Sequence, residues 1–323
     1  MRIHLSNPRG FCAGVRMAIE IVDELLDAIG NEEQLYVYHE IVHNKHVVER
    51  LRTKGAIFVE DISLIPKHSV VVFSAHGVSP AIIQKAKSRS LTCIDATCPL
   101  VTKVHAEAIR YAKRGWQIIL IGHRNHQEVV GTQGEAPEAI QIVESQNEIA
   151  HLQITDPAKL VYLTQTTLST DDAEVIIRVL KQTYPEIHSP PSDDICYATT
   201  NRQTAVRNDA SSVDLVLVVG SANSSNSLRL TEISKTAGTP SHLIDDVSMI
   251  NKKWFENVGT VLLTAGASAP ENLVQDIIEH LRTHFDGELE NYTSVDEGMF
   301  FSPPPSLESF LQSRDVTIKG ETQ

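Results

Sequence analysis

Positive charge is scarce in this chain: 28 Lys and Arg stand against 41 Asp and Glu, a formal net charge of -13. That balance excludes nucleic acid or an anionic membrane as the main partner, and any anionic ligand must be caught by a local set of donors. Long apolar runs are missing too. Pieces such as VVVF at Val70 and LVLVV at Leu215 fall far short of the roughly 20 residues that span a bilayer. The opening MRIHLSNPRGFC has no charged-then-apolar leader, so a cytoplasmic protein is expected. Four cysteines in 323 residues are too few for a disulfide framework. In a reducing compartment a special cysteine is a ligand or a nucleophile. No GxxxxGK[ST] loop or GxGxxG follows a strand, so a bound nucleotide has no support and electrons must come from an external carrier.

What the chain does contain is a repeat. A helix-like stretch follows each of Cys12, Cys98 and Cys196, and a short β-rich run follows each helix: LYVY at Leu35, IILI at Ile118 and LVLVV at Leu215. Each run leads into a polar loop (EIVHNKH, RNHQEVVG, ANSSNSLR), then a helix, a strand, a connector and a third strand. Those third strands are VVVF at Val70, LVYL at Leu160 and VLLT at Val261. Apolar strands alternating with amphipathic helices predict βαβ units with parallel sheets covered on both faces. The fold class is therefore α/β, with three similar small domains in pseudo-threefold array, over residues 1–97, 98–195 and 196–285. Residues 286–323, with the Pro303 to Pro305 run, form a C-terminal tail that adds an edge strand or wraps a domain.

Ligands of parallel sheets bind at the carboxyl ends of the strands, where loops and helix N-termini meet. The loops after the first strands supply His43, then His126 with Glu128, then Ser224, Ser225 and Asn226; those after the third strands supply His76, then Thr166 and Thr167, then Ser268. Each is unremarkable alone, since lone histidines are mostly solvated and Ser or Asn before a helix is ordinarily a cap. Their recurrence at equivalent positions is what makes them a set, rich in hydrogen-bond donors and suited to a diphosphate. Cys12, Cys98 and Cys196 recur with them at intervals of 86 and 98 residues. They lack the short ligand spacing of a zinc ribbon and the fourth cysteine usual for an iron-sulfur cluster. A 4Fe-4S cluster held by three cysteines leaves one iron open to substrate. Cys93, inside the apolar run LTCID, reads as a packed strand residue. Glu128 is the one carboxyl in the set and the candidate proton donor. The same residues also suit a dehydratase using such a cluster only as a Lewis acid, a redox sensor, or a zinc protein.

The motifs NPRGFCAGV at Asn7, SAHGVS at Ser74, DATCPLVTKVH at Asp95, TQTTLS at Thr164, DDICYATTNRQ at Asp193, GSANSSNS at Gly220 and TAGASAP at Thr264 resemble the 4-hydroxy-3-methylbut-2-enyl diphosphate reductase family, from about Met1 to Phe285. The resemblance implies three α/β domains around a central iron-sulfur cluster with Cys12, Cys98 and Cys196 as its ligands. It implies substrate contacts from His43, His76, His126, Thr166, Ser224, Ser225, Asn226 and Ser268, and Glu128 as proton donor. The implied reaction takes two electrons and two protons from a donor such as ferredoxin or flavodoxin, releases water from the allylic alcohol, and yields isopentenyl and dimethylallyl diphosphates. One departure is Gln127, where the family motif has proline, a change expected to loosen the loop that carries Glu128.

Overall fold

The structure is a computed structural model that describes residues 1–30, 33–290 and 297–314. The first third of the chain contains β1 (Arg2–Leu5), α1 (Ala13–Ile29), β2 (Leu35–Tyr38), α2 (Lys45–Thr53), β3 (Ala56–Val59), β4 (Val70–Phe73), α3 (Pro80–Ser88) and β5 (Thr92–Asp95). The second contains α4 (Pro99–Lys113), β6 (Gln117–Ile121), α5 (Gln127–Glu135), β7 (Ile140–Val143), β8 (Leu160–Thr164) and α6 (Thr170–Thr183). The last contains α7 (Tyr197–Asp209), β9 (Leu215–Val219), α8 (Ser225–Thr236), β10 (Ser241–Ile244), β11 (Thr260–Ala265), α9 (Glu271–Phe285), β12 (Glu288–Leu289) and α10 (Pro305–Gln312).

These strands form three sheets, ordered β3-β2-β4-β5, β7-β6-β8 and β10-β9-β11-β1-β12. Every pairing is parallel. The central strands LYVY, VVVF, LVYLT, LVLVV and TVLLTA are buried at every position. That is why they read as nearly unbroken apolar runs rather than alternating ones. Helices cover both faces. In α1 the buried Met17, Ala18, Ile21, Val22, Leu25 and Ile29 recur at helical spacing and pack on Leu35, Val37, Val70 and Val72 of the first sheet. Among the described residues no helix is long and apolar enough to cross a membrane.

The sheets depart from the boundary drawn at residue 1. β1 lies in the third sheet, paired with β11 in register Arg2 to Thr260 through Leu5 to Leu263. It holds the place that β5 holds beside β4 in the first sheet, and that His188, bridged to Val161, holds in the second. Each segment leading to a cysteine thus pairs beside the third strand of one sheet, and the helix after that cysteine packs on the next. Sequence spacing missed this because β1 meets its partner only through a contact spanning most of the chain. The tail adds β12 outside β1, and α10 sets Leu307 and Leu311 into the first core beside α1.

Candidate active site

The three joints between sheets meet at one point. Cys12, Cys98 and Cys196 are the N-caps of α1, α4 and α7, so three thiols and the positive ends of three helices face a single central cavity. The remaining wall comes from loops at the carboxyl ends of the parallel strands. His43 follows β2, His76 follows β4, His126 and Glu128 follow β6, Thr166 and Thr167 follow β8, Ser224 to Asn226 follow β9, and Ser268 follows β11. All ten residues expected from these loops, with the three cysteines, line the cavity. Cys93 lies on β5, half-buried against the first domain's second apolar cluster and away from the cavity.

Burial dominates the thiols. It pushes Cys98 up to about 12 and Cys196 to about 11, and raises Cys12, with Cys12 adding like charge to the other two. First-turn amides of each helix oppose this, those of Gly14 and Val15 at Cys12, Leu100 and Val101 at Cys98, and Thr199 at Cys196. Thr199 also approaches the Cys196 sulfur with its hydroxyl, at 3.2 Å. Three thiols whose ionisation is opposed by burial become ligands only when a strong cation compensates, so this donor set suits a multivalent metal centre. Space agrees, because a Cβ on Gly14 would lie 2.6 Å from the Cys98 sulfur, which leaves that flank to glycine. Among the described residues no group of three His, Cys, Asp or Glu side chains forms a ready-made metal site.

Opposite the thiols the imidazoles cluster. His43 and His76 stack with centroids 4.0 Å apart, and His126 meets them edge-on at 5.2 and 5.8 Å. Burial, then the neighbouring imidazoles, holds His76 well below the usual histidine value; burial takes His126 to about 3. His126 Nδ1 accepts the Glu128 amide at 3.2 Å, which leaves the ring proton on Nε2. His43 Nδ1 faces Glu40 at 3.3 Å, and Asn223 donates to the same carboxylate oxygen at 2.7 Å. His43 Nε2 and both amide atoms of Asn226 are buried without a partner. Such atoms are costly unless a ligand engages them.

Glu128 is 2 % exposed. Its two oxygens accept from the Thr166 amide at 2.6 Å and hydroxyl at 3.0 Å, yet burial outweighs these bonds and lifts the carboxyl to about 7. Gln127, where the family motif has proline, opens α5 directly behind the His126 cap. Sequence reasoning did not single out Gly14, Thr199 or Glu40. Glu40 stood three residues before His43, but the other two are defined only by their approach to sulfur.

Comparison with known proteins places this arrangement. The model of the LytB protein family matches residues 3–282. The 4-hydroxy-3-methylbut-2-enyl diphosphate reductase of Acidothermus cellulolyticus is 49% identical over 314 residues, 97% of this chain and 92% of that protein. The protein of the same name from Rhodopirellula baltica is 51% identical over 310 residues, 96% of this chain and 97% of its own. The structure of E-1-hydroxy-2-methyl-but-2-enyl-4-diphosphate reductase from Plasmodium falciparum superposes with a TM-score of 0.93 at 41% identity, covering 97% of this chain and 99% of that one. A second solved structure, of (E)-4-hydroxy-3-methyl-but-2-enyl diphosphate reductase, gives a TM-score of 0.62 at 27% identity over 88% of this chain and all of that one. Matched along nearly its whole length in sequence and in three-sheet architecture, this chain belongs to the LytB family of 4-hydroxy-3-methylbut-2-enyl diphosphate reductases.

Proposed function

We propose that this chain is the oxidoreductase that converts (E)-4-hydroxy-3-methylbut-2-enyl diphosphate to isopentenyl and dimethylallyl diphosphates, the last step of non-mevalonate isoprenoid precursor synthesis. The observation that carries the reading is the meeting of three thiols with imidazole, hydroxyl, amide and carboxyl groups in one cavity of a chain related end to end to proteins of that name. Cys12, Cys98 and Cys196 would hold a 4Fe-4S cluster. When bound, the cluster supplies electrons and a Lewis-acidic position for the substrate hydroxyl. The thiols, brought together as helix caps, become its thiolate ligands.

The rest of the wall binds and orients. His126, neutral with its proton on Nε2, donates to a diphosphate oxygen, as do Asn226 through its unpartnered amide and Ser225 and Thr167 through hydroxyls. His43, whose Nδ1 is held by Glu40, offers its unpartnered Nε2 to the ligand. His76 stacks on His43, and Ser268 donates to the His43 carbonyl at 2.9 Å and holds that loop. Ser224 caps α8, so the positive end of that helix also faces the anion. Val15, Val42, Leu100 and Val101 supply the apolar wall for the five-carbon chain. Glu128, gripped by Thr166, holds a proton to about pH 7 and gives it to the departing hydroxyl, which leaves as water. Two electrons and two protons balance the reaction. The electrons come from an external carrier of the ferredoxin or flavodoxin kind.

The test is reductant-dependent consumption of the hydroxylated diphosphate by anaerobically purified protein, with iron and sulfide assayed on the same sample. Conversion to the two five-carbon diphosphates is expected. A brown, iron-loaded protein that leaves the substrate untouched overturns the reading.

A further inference from the structure

Arg202, on α7, is 0 % exposed and is the largest fully buried side chain among the described residues. It lies behind the cavity wall. Its Nε and Nη2 donate to the Gly10 carbonyl at 3.2 and 2.8 Å, and Nη1 donates to the Ala198 carbonyl at 3.0 Å. Gly10 stands two residues before Cys12, and Ala198 stands two residues after Cys196. One guanidinium therefore spans the backbones that carry two of the three thiols. A second tie runs alongside it, from the Ala13 amide to the Tyr197 hydroxyl at 3.1 Å.

A buried guanidinium is tolerable only with a counter-charge. That charge comes from the far end of the chain. Glu297, in the C-terminal tail, accepts from Nη1 at 3.1 Å and from Nη2 at 3.0 Å, a two-point pairing, and also accepts from Asn201 at 2.9 Å. The tail is itself anchored on both sides of this contact, by β12 against β1 in the third sheet and by Leu307 and Leu311 in the first core. The Gly10 loop is also held by Arg9, which donates to Glu271 at 2.7 Å and to Asn7 at 2.9 Å, and by its own amides. Its Gly10 and Cys12 amides donate to the Ala265 and Ala267 carbonyls at 3.2 and 3.1 Å, and Gly10 itself has φ +68°.

We propose that Glu297 is a positioning residue: by neutralising Arg202 it fixes the Cys12 loop to the start of α7, so the tail sets the spacing and electrostatic surroundings of Cys12 and Cys196. This rests on reading those two cysteines as cluster ligands. Removing the carboxylate acts in two separable ways. Truncation frees the loop, whereas loss of charge alone leaves Arg202 uncompensated close to Cys12, and cluster potentials respond to nearby net charge.

The test compares full-length wild type, Glu297→Ala, Glu297→Gln and a control, Glu308→Gln, at an exposed position of the same tail. Hydrogen exchange at the Gly10 and Cys12 amides is read on each protein whatever its iron content, and the midpoint potential on each that carries iron. The Ala variant is expected to exchange at those two amides at least tenfold faster while the β9 and β11 amides stay protected. The Gln variant is expected to keep its iron and shift to a more positive potential, and the control to match wild type. Unchanged exchange in the Ala variant, or a rise spread over all three sheets, overturns the proposal. So does an unchanged potential in the Gln variant, which remains measurable if the Ala variant does not fold. A wild type without iron or turnover counts against the reductase reading, and the exchange data still judge the tie.

Discussion

Glu128 shows how one carboxyl is prepared by its surroundings. Buried, yet gripped by two Thr166 donors, it keeps its proton to about 7 against an ordinary 4.5. Glu128→Gln should therefore retain iron while turnover falls by about 100-fold or more, the usual contribution of a positioned general acid; iron content and steady-state rate on one sample check this. The same shift predicts a stability profile. Because the folded-state value is the higher one, the stabilising contribution is complete below about 4.5 and is lost as pH rises through about 7, a loss of ~3 kcal/mol. Melting temperatures of cluster-free wild type should thus fall relative to those of Glu128→Gln as pH is raised across that window, and parallel curves would sink the assignment. Gly14 acts by having no side chain. Gly14→Ala puts a carbon 2.6 Å from the Cys98 sulfur and should lose most of its iron on purification, read directly by iron assay.

Elements place these residues by where helices begin. Asn44 Oδ1 accepts from the His46 and Val47 amides at the start of α2, His126 caps α5, and Ser224 accepts from the Ser227 amide at 3.3 Å at the start of α8. A cap that also faces the cavity has two measurable roles. Ser224→Ala should cost ~1 kcal/mol of stability and raise KM, whereas Ser225→Ala, whose side chain caps nothing, should raise KM alone; thermal melts beside kinetics separate the two. At this scale much was legible. Central strands announced themselves as short apolar runs, and helices as periodic stretches, because full burial of the strands on both faces leaves no polar alternation to obscure them. β1 was not legible. RIHL is short, begins no repeat, and pairs with a strand at Thr260 that local pattern cannot reach.

At the scale of the whole molecule, the ring of three sheets is closed between the last and the first by β1 running into α1, and again by the tail. Leu307, 1 % exposed within the first core, is the anchor of that second closure. Leu307→Ala should cost ~2–5 kcal/mol by leaving a cavity beside α1. It should also speed amide exchange in α10 before the strands respond, a sequence visible by exchange mass spectrometry. Sequence alone determined the α/β class, the three repeats, and the residue types at strand ends and helix starts, because strand length, helix period and loop position are local properties repeated three times. It did not contain the stack of His43 on His76, the glycine flank at Cys98 or the pairing of Arg202 with Glu297. Those depend on how three sheets face one another, and distances between residues far apart in the chain are set only when the cores have packed.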